Sequence, residues 1–281
     1  MTAPSKEPGV RYPSMLRIFL ETRVANICRK RLRRASRKRK KTILSYTPPS
    51  LQIYNGCRFR LHATSNHTEQ HLWKKGVPPE HLATEFLRER FAGTAPVIVD
   101  VGANAGIFSL PILPVCIPGT QLLAFEPNPV MFARLAINVS LNNFTNIHLF
   151  ECAIGDEPGL EPMFFPQNSN LGQGRVGIAY KGKNAHEGLI VQIRPLIDCL
   201  KEAEIEQIDL MKVDVEGLED RVIAPLLEGP EQLLPKALYF EDAHDKLWKY
   251  PLPDLLKKAG YGEPKRFSQN VFYLLGEDAT A

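Results

Sequence analysis

Four segments of this sequence combine residue types that can hold a nucleoside-like ligand and accept a proton. In the first, the apolar run Val97–Val101 enters a turn with Gly102 and Gly106 and then a helical pattern. Glycines in such a turn let the backbone approach a ligand where a side chain would collide. The GxGxxG spacing that cradles a pyrophosphate is not met, because Asn104 and Ile107 stand at its second and third glycine positions. With the acid Asp100 beside the turn, the expected ligand bears an amine or a sulfonium rather than phosphates.

In the second segment, Leu122–Asn128, Glu126 follows Gly106 by 20 residues and ends an apolar run. An acid there can accept hydrogen bonds from both hydroxyls of a ribose. The third, Cys152–Asp156, ends a further run, and Asp156 reads equally well as a partner for an adenine amino group or as a turn cap. In the fourth, Ile208–Gly217, the residues Lys212, Asp214 and Glu216 alternate, which puts them on one face of a strand. Three charges on a central strand are costly to bury. The end of that strand should therefore open into a site; the other reading of Lys212 is a buried salt bridge with a neighbour. Glu241 and Asp242 lie at one more strand end, where they can shape an acceptor pocket, and His244 follows them.

The surrounding pattern supplies a frame for these residues. Pro96–Val101, Gln121–Phe125, Ile147–Ile154, Ile208–Val213 and Ala237–Phe240 read as strands. Helical patterns alternate with them at Ala105–Leu113, Pro129–Leu141, Leu196–Ala203, Leu218–Leu227 and Leu252–Lys258. Lys265–Phe267 and Val271–Leu275 should close the sheet as an antiparallel pair. This alternation predicts an α/β layer fold with a largely parallel sheet and a ligand site at its carboxyl ends. Residues 159–194 read as an insertion, with Met163–Phe165 and Leu189–Ile193 as hairpin strands. Ahead of the sheet, Leu51–Tyr54 and Cys57–Leu61 flank Asn55-Gly56, the signature of a tight hairpin. Residues 78–92 read as a helix.

Charge divides the chain. The net charge is +4, yet residues 29–41 hold ten Lys or Arg and no acid, so the remainder carries +4 − 10 = −6. The expected organisation is a basic extension over residues 1–50 and one domain over 51–281, its sheet preceded by the hairpin and helix of 51–95. Residues 1–13 are rich in proline, glycine and charge and read as unstructured. From Leu16 to Leu32 an apolar stripe recurs every four residues, which predicts a basic helix. The five cysteines have no CxxC-like spacing and the histidines no ligand spacing, so neither a disulfide framework nor a metal is expected, and a reducing cytoplasm is the simplest setting. No apolar run approaches the roughly 18 residues of a membrane span.

Taken in order, Val99–Gly106, Phe125–Pro129 and Leu210–Glu219 resemble the motifs of the FkbM-type methyltransferase family, and the likeness covers roughly residues 80–275. The resemblance implies a class I methyltransferase fold: Rossmann-like, with a mostly parallel seven-stranded sheet and an antiparallel C-terminal strand. It implies S-adenosylmethionine as cofactor and a hydroxyl of a sugar or small metabolite as acceptor. It implies that Asp100, Gly102, Asn104 and Gly106 line the methionine end, that Glu126 holds the ribose, and that Asp214 and Glu216 face the transfer site. Asn168, Ser169, Asn170 and Gly172 fall in a polar insertion loop without assigned roles.

For the proton of the acceptor, Asp214 is the first candidate base and His244 the second; Lys212, Glu216 and Glu241 are the candidate acceptor-binding residues. The Asn/Asp-Pro-Pro-Tyr/Phe motif of enzymes that methylate nucleic-acid amines is missing; Asp214–Gly217 stands in its place, which favours oxygen as acceptor. Two other readings stay open. One is an RNA- or nucleoprotein-directed methyltransferase whose basic segment 29–41 holds the substrate; the other is a nucleoside-binding module without catalysis. The same segment, beside the apolar stripe, also suits an anionic membrane surface, which would make the protein peripheral there.

Overall fold

The computed structural model describes residues 14–166, 170–179, 185–277 and 279. The expectation for residues 1–13, and Asn168 and Ser169 of the insertion loop, lie outside them. Ser14 caps the first helix, its hydroxyl accepting from the Arg17 N–H at 3.3 Å, and α1 (Met15–Arg34) runs into α2 (Arg37–Ser45). Pro48 and Pro49, which cannot continue a helix, lead into β1 (Ser50–Tyr54) and β2 (Cys57–Leu61). Between these strands Asn55 and Gly56 take φ of 48° and 83°, the left-handed pair that a two-residue hairpin turn demands. Helix α1 lies on this hairpin: Leu51 N–H donates to Thr22 Oγ1 at 2.9 Å, Arg60 pairs with Glu21, and Ile18, Ala25 and Leu32 are buried.

Two helices follow. α3 (His67–Lys75) was not legible as a helix, because its only large apolar buried side chains are Leu72 and Trp73. Its caps were present in the sequence, however: Asn66 Oδ1 accepts from Glu69 N–H at 2.9 Å, and Gly76 ends it at φ 87°. α4 (His81–Phe91) falls inside the expected 78–92.

The sheet proper is built from β3 (Val97–Val101), β4 (Gln121–Phe125), β5 (Ile147–Phe150), β10 (Leu210–Val213), β11 (Ala237–Glu241), β12 (Lys265–Phe267) and β13 (Asn270–Leu274). Its order is β12-β13-β11-β10-β3-β4-β5, parallel throughout except for β13, which runs against both neighbours. Alternation sorts the side chains between two cores. Ile98, Leu122, Ala124 and Leu210 face the layer of α3, α4 and the hairpin; Val99, Leu123, Phe125, Met211 and Val213 face the other layer. Each large side chain so buried contributes about 1.5–3 kcal/mol. The helices that cover the faces are α5 (Pro129–Ser140), α6 (Leu196–Glu202), α7 (Glu219–Leu227) and α8 (Leu252–Lys258).

Three expectations need correction. The helix drawn over Ala105–Leu113 is a run of turns ending in a 3-10 helix, Leu110–Val115. Gly106 sits at φ 76° and Pro111 and Pro114 lack N–H donors, so an α-helix cannot propagate. The strand drawn over Ile147–Ile154 divides: β5 stays in the main sheet, and β6 (Ala153–Ile154) joins a second sheet with β7 (Gly159–Pro166), β8 (Arg175–Val176) and β9 (Ala185–Arg194), in the order β6-β9-β7-β8. The insertion is thus a small sheet beside the carboxyl edge, larger than the expected hairpin. Lys212, Asp214 and Glu216 were expected on one strand face, but the strand stops at Val213, as its expected bounds Ile208–Val213 had it, and Glu216 lies beyond it in a left-handed turn, φ 59°. Lys212 and Glu216 therefore do not share a strand face.

Candidate active site

The carboxyl ends of β3, β4 and β10 open into a cleft of about 370 Å³, walled on its far side by the insertion sheet. This lies in the range of small-ligand sites, roughly 300–1,000 Å³. Gly102, Asn104, Glu126, Asp156, Asp214 and Glu216 line it, together with the apolar Phe125, Ala153, Ile154 and Leu218. Asp100, Gly106, Lys212, Glu241 and His244 do not.

The two glycines of the first turn serve packing inside the protein. A Cβ on Gly102 would lie 1.9 Å from the Asp214 carbonyl oxygen, so glycine is what lets the turns after β3 and β10 touch. A Cβ on Gly106 would meet Leu110 and Leu135 at 2.7 and 2.8 Å. Asn104 lines the cleft beside them, held at φ 54° with its Oδ1 accepting from Ala105 N–H and from Asn66 Nδ2, each at 2.8 Å. Asn138 Nδ2 ties the turn down through the Ala105 carbonyl at 2.8 Å.

Glu126 is nearly buried, and both its oxygens accept backbone N–H groups, from Asn104 at 2.8 Å and Asn128 at 2.9 Å. Burial nevertheless raises its pKa to about 7. Each oxygen keeps a lone pair that these bonds do not use, and Glu126 lines the cleft, so a vicinal diol there would complete the shell and favour the ionised form. Asp156 stands at the opposite rim, 3.3 Å from both Lys249 Nζ and the Tyr250 hydroxyl. Burial acts to raise its pKa, but its own backbone N–H and Lys249 outweigh burial and hold it below the ordinary value. From the insertion, Asn170 Oδ1 accepts from Gly172 N–H at 3.3 Å and from His67 N–H at 3.1 Å, while the Leu171 carbonyl accepts from Asn128 Nδ2 at 3.0 Å.

Beneath the cleft, Asp100 and Lys212 are direct partners in the β3–β10 register. Lys212 Nζ lies 3.2 Å from Asp100 and 3.5 Å from Asp214, and donates to the Gly102 carbonyl at 2.8 Å. Burial would lower its pKa, but Asp100, Asp214 and Glu80 more than offset this and raise it. Lys212 and Asp100 thus form the buried salt bridge weighed above. Glu80, which sequence reasoning missed, accepts from the Tyr239 hydroxyl at 3.0 Å and has its pKa raised to about 7, first by burial and then by Asp214. Nothing in its local sequence marks it, since α4 brings it in from outside the sheet.

At the mouth, Glu216, Glu241 and His244 converge, their ligating atoms within 4.8 Å of one another. Burial, then the charges of Asp214 and Glu241, raise Glu216 to about 8; burial, then Asp214, raise Glu241 to about 7. Burial and the Arg175 guanidinium lower His244, whose Nε2 accepts from Arg175 Nη2 at 3.1 Å. The turn that carries Glu216 is clamped by Glu219, which accepts from Val215 and Gly217 N–H and from Trp248 Nε1, each at 3.1 Å. Glu219 also escaped the sequence reading, although an acid in the first turn of a helix was a legible signal.

Glu80 and Glu126 both titrate near 7 in the folded protein against an ordinary 4.5. The folded state therefore holds protons that the unfolded chain has released. Their contribution to stability is complete below pH 4.5 and is lost as pH rises through about 7. The ligand-free protein should melt at a lower temperature at about pH 8 than at about pH 6 in scanning calorimetry. A melting temperature equal or higher at the alkaline value would overturn that reading.

A family model described as the methyltransferase FkbM domain matches residues 100–261, the stretch from Asp100 through β11 and α8. The chain belongs to this family. Among curated relatives, the 2-O-methyltransferase NoeI of Sinorhizobium fredii is 34% identical over 172 residues, covering 56% of this chain and 68% of that protein. Methyltransferase sdnD of Sordaria araneosa is 33% identical over 154 residues, covering 46% of this chain and 59% of that protein. The 31-O-demethyl-FK506 methyltransferase FkbM of Streptomyces tacrolimicus is 31% identical over 153 residues, covering 46% and 58%. This FkbM-family chain thus spans under two thirds of the length of the last two. Residues 100–261 form a methyltransferase FkbM domain on a mostly parallel α/β sheet. The residues of the cleft fit S-adenosylmethionine, the donor that the sequence resemblance implies: Glu126, each of whose oxygens keeps a lone pair, lines it together with the apolar Phe125, Ala153, Ile154 and Leu218.

Proposed function

We propose that this protein transfers a methyl group from S-adenosylmethionine to a hydroxyl oxygen of a sugar or other small metabolite. The observation that carries the reading is the cluster of Glu216, Glu241 and His244, which borders the donor cleft through Glu216 and holds carboxyls with pKa near neutrality. A hydroxyl needs a proton acceptor as it attacks, and an acceptor works best with a pKa near the working pH. The name of one relative, the 2-O-methyltransferase NoeI, is in keeping with this.

The donor would be held by Glu126 at its ribose, by the Asn104 turn and Asp214 near its methionine end, and by Asp156 or the apolar wall at its base. When bound it supplies a methyl already activated on a sulfonium. The chain's own work is to orient the acceptor, exclude water and receive the proton. Orientation of this kind accounts for roughly 7–11 kcal/mol of such barriers. Glu216 Oε would take the proton. Asp214, the first candidate from sequence, is engaged by Lys212, and His244 Nε2 already accepts from Arg175. Those two, with Glu241, would instead position the acceptor. All five cysteines are free, which supports a reducing, cytoplasmic setting.

The test has two arms. Calorimetry should give micromolar binding of S-adenosylmethionine, and Glu126→Ala should weaken it at least about tenfold (about 1.4 kcal/mol). Turnover should then appear on polyhydroxylated acceptors. A folded protein that binds no donor, or one that methylates only amines or carboxylates, would sink the proposal.

A further inference from the structure

Helix α1 carries apolar side chains on two opposite faces, and the hairpin covers one of them. At about 100° per residue, Ile18, Ala25 and Leu32 form a single stripe, and all three are buried. Leu16, Phe19, Leu20, Val24 and Ile27 fall on the other side and Met15 on its flank, each between 48% and 72% exposed. The same outward face continues as Arg23, Lys30, Arg31 and Arg34, all exposed. It is therefore mainly apolar up to Ile27, with Arg23 among these residues, and cationic from Lys30 on.

Between α1 and α2, Arg31, Arg34 and Arg39 line an open notch of about 480 Å³ with Thr42 and Ile43. The one acid on α1, Glu21, is taken by Arg17 and Arg60. The three guanidinium groups of the notch have no acidic partner among the described residues. No helix among the described residues is long and apolar enough to cross a membrane.

We propose that the outward face of α1, with the arginine notch beside it, docks this protein on an anionic lipid surface. Charge complementarity chooses the occupant. Ten cations without an acid over residues 29–41 favour an anionic partner, and each Lys or Arg near such a surface contributes about 1 kcal/mol. Nucleic acid would satisfy the cations but would leave six exposed apolar side chains in water. A lipid surface satisfies both, with the apolar half set among acyl chains and the notch around headgroup phosphates. The face lies on the hairpin side of the molecule and uses none of the residues that line the cleft.

Co-sedimentation with phosphatidylcholine vesicles, with and without phosphatidylserine, tests this on the full chain. Binding is expected only with phosphatidylserine. It should fall at least about tenfold both in Phe19→Ser/Leu20→Ser and in Arg31→Glu/Arg34→Glu/Arg39→Glu. All of these positions are exposed, and an unchanged circular dichroism melt certifies the fold of each variant. Three outcomes overturn the proposal: no vesicle binding by the wild type; loss with the arginine variant alone, which means charge attraction without docking of the apolar face; or binding of a uridine oligonucleotide without binding of vesicles. The readout needs neither donor nor acceptor, so its failure leaves the methyltransferase reading untouched.

Discussion

Replacing Glu216 by Gln is expected to lower kcat by roughly two to four orders of magnitude, the usual contribution of a positioned proton acceptor. It should do so with little change in donor affinity. Glu216 lines the donor cleft and also belongs to the carboxyl cluster at its mouth. Its pKa of about 8 is set by burial and by the negative charges of Asp214 and Glu241. An acceptor must be ionised to work, so the wild-type rate should climb with pH and level off above about 8. The Gln variant has no proton to lose and should show no such limb.

Glu241→Gln separates this account from simple damage. Removing the Glu241 charge removes one cause of the high Glu216 value, so the limb should move to lower pH. A pH profile that keeps its limb in Glu216→Gln would remove Glu216 as the proton acceptor. A limb that stays in place in Glu241→Gln would show that the two carboxyls do not sense one another.

The parallel sheet was readable because its strands are short apolar runs bounded by turns. β4 was drawn at its observed limits, Gln121–Phe125, and β11 within one residue. What failed was local chemistry under tertiary control. α3 has too narrow an apolar face to show a helical period, and its Glu69 is buried against Arg134 rather than exposed. The site divides in the same way. Gly102, Asn104, Glu126, Asp156, Asp214 and Glu216 follow strand ends in sequence, and topology alone brings them to one edge. Glu80 arrives from a helix outside the sheet, and Arg175 from an insertion strand far along the chain. No spacing rule ties either to the cleft. The alternation of Lys212, Asp214 and Glu216 misled for a related reason: alternation is a strand property, and the strand ends at Val213 before the third of them.

Lys212→Met is expected to destabilise the folded protein by about 3–5 kcal/mol, the cost of stripping one partner from a buried ion pair. Asp100 is fully buried, and Lys212 is its one ion-pair partner among the described residues. Its charge is balanced by Lys212 across 3.2 Å. Without the ammonium group, Asp100 must either stay ionised in an apolar layer or take up a proton. The Gly102 carbonyl would lose its donor at the same stroke. For a chain of this size each kcal/mol shifts the melting temperature by about 2–4 °C, so a fall of roughly 6–20 °C is expected in calorimetry. Adding Asp100→Asn removes the stranded charge and should recover part of the loss. This reversal distinguishes electrostatics from packing, because a mere cavity left by the lysine stem would not be relieved by a neutral residue at position 100. A single variant that melts with the wild type would mean that the turn carrying Asn104 is held without the ion pair beneath it.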